Sequence, residues 1–210
     1  MRMYLFPVAP NPTKVSLFLA EKEAAGCRID MEVVAVNLAA GEQKSEGHRA
    51  RNPLARLPVL ELDDGGFLLE SLPIIEYLEE LHPDAPMVGS SPSERARVRS
   101  LERIADLGVL LPIATIVHAT NSPIGMEPSP EVAERFRGNM PAPLRYLDDQ
   151  LADGRRFVAG DEPRIADFTL AAALQFGRFG KVEIGEEYEN ILRWDRAYRE
   201  RDAVRHVFHV

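Results

Sequence analysis

Apolar and polar positions in the first part of the chain follow two different periods. Short apolar runs indicate buried strands, whereas apolar positions three and four residues apart indicate helices. The pattern predicts a strand, a helix, a second strand and a short polar helix, over residues 3–8, 14–25, 30–36 and 41–51. Met31 and Val33 of the second strand are expected to face the core. Because a helix joins the first two strands, we predict that they are parallel.

Two further apolar runs, 57–62 and 66–69, flank an Asp-Asp-Gly-Gly segment. Aspartate and glycine between apolar runs predict a β-hairpin, because glycine accepts positive φ without penalty. The segment 71–81 opens with the capping-type residue Ser71 and keeps its apolar residues on one face, which predicts a helix. The predicted order is therefore βαβαββα, a small α/β unit over residues 1–81.

Residues 82–92 are rich in proline and serine and predict an interdomain linker. Beyond them the period is helical throughout, so we predict an all-helical domain over 93–210. Ser93 is expected to cap a long helix that bends at Pro112. The other predicted helices are 130–151, with an interruption near Pro141, 165–179 and 188–199.

Composition narrows the class of protein. The chain has 210 residues, 45% of them hydrophobic, which supports a packed core and excludes a disordered chain. Its formal net charge is -8, whereas a nucleic-acid binder needs a concentrated basic face, so we expect no nucleic-acid partner.

Three further features bear on chemistry and compartment. The single cysteine, Cys27, excludes an internal disulfide and a cysteine-ligated metal centre, and we expect no metal. No apolar run approaches the ~20 residues that span a bilayer. The N-terminal apolar stretch is too short for a signal-peptide core. We therefore expect a soluble cytoplasmic protein with no membrane partner.

Three motifs in a characteristic order carry a family resemblance. They are 52–60 (NPLARLPVL), 70–78 (ESLPIIEYL) and 157–168 (FVAGDEPRIADF). Together they resemble the cytosolic glutathione transferases. The resemblance implies a thioredoxin-like N-terminal domain, an all-helical C-terminal domain, glutathione as cosubstrate and a two-fold homodimer.

The resemblance also implies where glutathione binds. Leu57 would pair its backbone with the cysteinyl part, next to a cis bond at Pro58, which is a one-residue strand addition. The alternative is a trans proline on an edge strand. The γ-glutamyl carboxylate would meet the start of the helix at Ser71, and Glu70 would engage the ammonium group. The alternative is a simple helix cap followed by an exposed acid.

The glycine carboxylate of glutathione needs a cation or an amide near the second predicted helix. Lys44 is our candidate, together with Gln43, and His48 lies further along. A solvated loop charge is an equally good interpretation of each.

The usual catalytic position departs from the family pattern. Counting six residues back from Val15 gives Ala9, where serine- and cysteine-type members carry their catalytic group, so cysteine chemistry is excluded there. What remains is a PNP segment that resembles atypical bacterial and fungal transferases. Asn11 could donate an amide hydrogen bond to a thiolate, and Thr13 a hydroxyl. We interpret Tyr4 as an inward, structural residue of the first strand.

His118, near the end of the first long helix of the helical half, is the candidate base. An imidazole with a pKa near ~6.5 could take the thiol proton directly or through water. The alternative is a histidine stabilised by the helix C-terminus. The electrophile is expected near Ile113, Val117 and His118.

Two functions follow from these observations. The first is a glutathione transferase that adds the glutathione thiolate to small hydrophobic electrophiles. The second is a non-enzymatic interaction or regulatory protein on the same scaffold, which Ala9 at the usual catalytic position favours. The motifs at 57–58 and 70–71 favour a working glutathione site.

Overall fold

The computed structural model describes residues 1–209. A four-stranded sheet forms the N-terminal part, in the order β2-β1-β3-β4. The strands are β1 (Arg2–Leu5), β2 (Glu32–Ala35), β3 (Val59–Glu61) and β4 (Phe67–Leu69). β1 and β2 are parallel, and the β3–β4 hairpin is antiparallel, as is the pairing of β1 with β3. This confirms the predicted thioredoxin-like arrangement.

The helices follow the predicted order closely. They are α1 (Pro10–Ala24), α2 (Glu46–Arg51), α3 (Ser71–Leu81), α4 (Pro92–Ala105), α5 (Leu111–Thr120), α6 (Pro130–Asn139), α7 (Pro141–Gln150), α8 (Ile165–Gly180) and α9 (Glu189–Arg199). The predicted interruption falls at Met140, between α6 and α7. Among the helices of residues 1–209, none combines the length and the apolar character that a bilayer crossing requires.

Two local predictions were wrong. Val33 lies on the same sheet face as the buried Met3, with which it pairs, but it is 54% exposed and not buried, because β2 is an edge strand. Ser91, not Ser93, caps α4: its hydroxyl accepts the Glu94 N–H at 3.2 Å. Next to Pro112, where a bend was predicted, a π-helical turn over 106–110 interrupts the α-helix and accommodates a residue without an N–H group.

One hydrophobic core runs through both parts of the chain. Its buried residues come from the sheet, from α1 and α3, and from the helices that follow. The rings of Phe18 on α1 and Phe168 on α8 meet edge to face, with centroids 6.3 Å apart. Both rings are buried, so this contact helps to hold α1 against the helical part of the chain.

A buried lysine fastens the segment that connects α3 to α4. The Lys22 ammonium is fully buried and lies 2.7 Å from a carboxylate oxygen of Glu79. It also donates to the carbonyls of His82, Asp84 and Ala85 at 2.7–3.1 Å. All of its hydrogen-bonding capacity is therefore used, and the connecting segment is tied to both α1 and α3.

Candidate active site

The first turn of α1 presents one free backbone amide. It reads Pro10-Asn11-Pro12-Thr13, and neither proline carries an N–H group. The Thr13 N–H donates to the Ala9 carbonyl at 3.0 Å. Within residues 1–209 the Asn11 N–H has no partner. It is therefore the backbone donor that this helix end offers to an anion.

The side chain of Asn11 is oriented by Ser71. The Ser71 hydroxyl donates to Oδ1 of Asn11 at 3.1 Å. Since the amide oxygen accepts this bond, the Nδ2 donors face the other way, and no group in the described part of the chain accepts from them. Asn11 is half-buried and Ser71 is 3% exposed. The structure thus brings two of the predicted site residues together and leaves an amide donor available.

The start of α3 offers two more free amides. The N–H groups of Ser71 and Leu72 have no partner within residues 1–209, and the third residue of the helix is Pro73. Glu70 precedes them, exposed, with φ 69° and ψ 132°. This left-handed φ is rare for a residue other than glycine and costs about 1–3 kcal/mol. Two amides beside an exposed carboxylate suit a ligand that carries both a carboxylate and an ammonium group.

The backbone at Leu57 is open on the side that a peptide could use. The Leu57–Pro58 peptide bond is cis. Neither the N–H nor the C=O of Leu57 has a hydrogen-bond partner in residues 1–209. The carbonyl just before it, that of Arg56, accepts from Asn52 Nδ2 at 2.9 Å and lies 3.1 Å from His48 Nε2. His48 is buried and supports this loop, so it does not face a ligand as we had expected.

Lys44 lies at the end of a 3₁₀ turn over 42–44 and is exposed. None of the salt bridges among the described residues includes its ammonium group. Gln43 beside it is 5% exposed, and its Oε1 has no partner there. A free cation next to a buried amide is consistent with the predicted carboxylate contact.

Thr13 takes a structural role instead of the catalytic one expected for it. It is 3% exposed, and its hydroxyl donates to the Ala9 carbonyl at 3.0 Å. The same hydroxyl accepts from Gln175 Nε2 at 3.2 Å. Its single proton is already used inside the protein, so it has none to donate to a thiolate.

His118 lies on α5, half-buried, with its ring centroid 5.9 Å from that of Phe176. Its Nδ1 is 3.1 Å from the Ser122 hydroxyl. Burial lowers the pKa of His118 below its usual 6.5. Ile113 and Val117 on the same helix are 0% exposed and pack against α8, so the expected electrophile contact with them was wrong.

The sequence analysis did not predict that Lys14 and Lys22 of α1 are buried, and Lys14 lies close in sequence to the candidate site. It lies three residues beyond Asn11, is 2% exposed, and its ammonium group is 3.1 Å from Glu102 and 2.9 Å from Asp106. This ion cluster joins the start of α1 to the helical part. A sequence signal existed in the acidic residues 102 and 106, which are four apart and share one helix face.

Two remaining expectations concern Tyr4 and metals. Tyr4 is 4% exposed and its hydroxyl donates to Glu61 at 2.6 Å, which agrees with a structural role. Within residues 1–209, no group of three or more His, Cys, Asp or Glu side chains is placed to hold a metal ion.

Comparison with known proteins identifies the family. Residues 3–86 match the family model "Glutathione S-transferase, N-terminal domain", and residues 130–197 match "Glutathione S-transferase, C-terminal domain". Glutathione S-transferase 2 of Saccharomyces cerevisiae is 30% identical over 214 residues, covering 100% of this chain and 90% of the relative. The crystal structure of Gtt2 from Saccharomyces cerevisiae has a TM-score of 0.87 at 31% identity, covering 99% of this chain and 100% of that one.

A solved glutathione S-transferase from Methylobacillus flagellatus, with glutathione bound, has a TM-score of 0.83 at 26% identity and covers 100% of this chain and 99% of its own. The family models match two segments of the chain, and these relatives match nearly its whole length. The chain belongs to the glutathione S-transferase family and uses glutathione as its cosubstrate.

Proposed function

We propose that this glutathione S-transferase adds the glutathione thiolate to small hydrophobic electrophiles, and that Asn11 stabilises the thiolate. The observation that carries the proposal is the Asn11 amide, whose oxygen is occupied by Ser71 at 3.1 Å while its nitrogen stays free. A hydrogen bond to a charged group contributes about 1.5–3 kcal/mol, which lowers a thiol pKa by about one to two units. This amide takes over from the side chain that Ala9 lacks.

Glutathione would bind along three elements. Its cysteinyl backbone pairs with the free N–H and C=O of Leu57, beside Pro58. Its γ-glutamyl carboxylate accepts from the amides that begin α3 at Ser71, while Glu70 meets the ammonium group. Lys44 attracts the glycine carboxylate. The amides at the start of α3, Glu70 and Lys44 thus give each of the three charged ends of the tripeptide a hydrogen-bond donor or an opposite charge.

His118 would act as the base. Because burial lowers its pKa, the imidazole is neutral at pH 7 and has a free nitrogen to accept the thiol proton, directly or through one water. The sulfur electron pair then forms the new C–S bond, while an aryl halide releases its halide, an epoxide breaks its C–O bond, or an enone shifts its π electron pair to oxygen. In the last two cases the oxygen or carbon is then protonated. If His118→Ala keeps full turnover across about pH 6–8, His118 is not the base.

The electrophile would contact exposed apolar residues of the π turn and α5. Leu107 is 55% exposed and Leu111 is 46% exposed. Leu111 and His118 are seven residues apart and so share one face of the helix. An apolar surface next to the base suits a hydrophobic substrate, and such conjugation fits a detoxifying role. We also propose a cytoplasmic homodimer, as the resemblance to cytosolic glutathione transferases implies; light scattering would test the dimer.

Immobilised glutathione combined with an electrophile panel tests the activity. We expect retention on the resin and turnover of at least one aryl halide, epoxide or enone. Retention without any turnover would favour the alternative, a non-enzymatic interaction or regulatory protein. The variant Asn11→Ala tests the role of the amide in the same assay: it should keep most of the glutathione binding and lose turnover.

A further inference from the structure

Gln175 is a buried amide in an otherwise largely apolar helix. It lies on α8, is 0% exposed, and neighbours the aromatic residue Phe176. Burying an amide without hydrogen-bond partners costs several kcal/mol, so the partners of Gln175 indicate what role this side chain has. Its Nε2 donates to Thr13 Oγ1 at 3.2 Å, across 162 residues of sequence, and its Oε1 accepts from the His209 N–H at 3.2 Å.

The Gln175 contact continues to the loop before α1. The Thr13 hydroxyl, which accepts from Gln175, itself donates to the Ala9 carbonyl at 3.0 Å. The Thr13 N–H donates to the same oxygen. Ala9 occupies the position of the missing catalytic group. A chain of hydrogen bonds thus runs from the centre of the helical part to the residue that precedes Pro10 and Asn11.

The loop at the end of this chain is strained. Val8 has φ 75°, in the left-handed region that a β-branched residue avoids. Such a conformation persists only where the surrounding structure holds it. The restraint in this structure is the pair of hydrogen bonds that Thr13 donates to the carbonyl of the next residue, Ala9. Gln175 holds Thr13 in turn by donating to its hydroxyl.

We propose that Gln175 is a positioning residue for thiol activation. Through Thr13 it holds the loop 8–10, and this loop sets where the free donors of Asn11 lie relative to the glutathione sulfur. This inference rests on the proposed role of Asn11. It predicts that a residue buried in the helical part, with no contact to glutathione, sets the pKa of the bound thiol.

The test measures the pKa of the thiol of bound glutathione by the ultraviolet absorbance of its thiolate, together with the glutathione dissociation constant. Gln175→Met keeps length and removes both hydrogen bonds. Thr13→Val keeps shape and removes the hydroxyl, whereas Thr13→Ser retains it. Asp148→Asn is the matched control: Asp148 is buried in the same helical part and caps α9 by accepting the Ile191 N–H at 3.0 Å, without touching α1.

We expect Gln175→Met and Thr13→Val each to raise the thiol pKa by on the order of half to one unit, with little change in the dissociation constant. The double variant should show no further rise, because both changes break one chain. Thr13→Ser and Asp148→Asn should leave the thiol pKa at its wild-type value.

Two results would overturn the inference. One is a wild-type thiol pKa in both Gln175→Met and Thr13→Val; if one of the two does not fold, the other decides. The second is an equal rise in Asp148→Asn, which would reveal a general effect of destabilisation. A wild-type protein that binds glutathione without lowering its thiol pKa would instead refute the role of Asn11 itself, so the two failures are distinguishable.

Discussion

Replacing Lys22 by methionine should be among the most destabilising single changes in the molecule. Methionine keeps most of the unbranched stem but removes the ammonium group that pairs with Glu79 and binds three carbonyls of the connecting segment. Glu79 is 5% exposed and would be left as a buried carboxylate without its cation. Two backbone amides, those of Met87 and Val88, still donate to it at 2.5 and 3.2 Å.

The magnitude follows from that geometry. Removing one partner of a buried ion pair costs about 3–5 kcal/mol, and the remaining amide contacts place Lys22→Met near the lower end, at about 3 kcal/mol. A domain of this kind has about 5–15 kcal/mol of stability in total. With a urea m-value of about 2 kcal/mol per molar, the unfolding midpoint should fall by about 1.5 M while m stays constant.

Urea unfolding followed by circular dichroism and by the fluorescence of the sole tryptophan, Trp194, measures this change. Arg28→Met is the matched control, since the Arg28–Asp30 pair has side chains 74% and 92% exposed and its loss should cost less than about 1 kcal/mol. The double variant Lys22→Met/Glu79→Gln should cost less than the sum of its parts, because neither charge is stranded. A loss below about 1 kcal/mol in Lys22→Met would refute the reasoning.

Three further predictions follow from the site and from the helical part. Asn11→Ala should raise the pKa of the bound glutathione thiol by about one to two units in the thiolate absorbance titration, and Asn11→Asp should raise it further by adding a negative charge; an unchanged thiol pKa would exclude the amide donor. The lowered pKa of His118 means that the unfolded chain binds its proton more readily, so the unfolding free energy should fall as pH drops below 6.5, and His118→Gln should flatten that decline in urea titrations at matched pH; an identical slope would contradict it. Asp167→Ala removes a fully buried carboxylate that accepts two backbone N–H groups at 2.8 and 2.9 Å, and calorimetry should show a loss of about 2–4 kcal/mol without a change in the bound thiol pKa.

Local patterns were enough to predict most of the N-terminal fold. The helix predicted over 71–81 has those bounds in the structure, because an early proline and one apolar face both lie within this single element. Ser71 is its first residue and makes no cap, since its hydroxyl donates to Asn11. The hairpin at 57–69 was equally local, since its turn chemistry lies between its two strands. The edge position of β2 is not a local property: the pattern predicted the direction of Val33, which lies on the same sheet face as the buried Met3, but not its 54% exposure.

The buried charges could not be predicted from the same patterns. Lys14 and Lys22 lie in a helix whose polar residues read as solvent-exposed, yet both ammonium groups are buried. Their partners are Glu79 and Glu102, which come from distant parts of the chain, and only the packing of α1 against the following elements brings them together. The spacing of residues 102 and 106 indicates that two acids share one helix face, but it does not indicate which cation they meet.

The candidate site was predictable in part. The motifs predicted that Leu57, Glu70 and Ser71 belong to one site, and the unusual segment that begins α1 pointed to Asn11. The sequence did not reveal that the Thr13 hydroxyl donates to the Ala9 carbonyl, because this bond depends on the orientation of a buried side chain. It also did not reveal Gln175, whose partner is 162 residues away.

A crystal structure with glutathione tests the central claim most directly. We expect the cysteinyl backbone to exchange hydrogen bonds with Leu57, the γ-glutamyl carboxylate to accept from the amides of Ser71 and Leu72, and the sulfur to lie within hydrogen-bond distance of Asn11 Nδ2. Glutathione bound elsewhere, or a sulfur that faces away from Asn11 while the groove at Leu57 stays empty, would contradict the account.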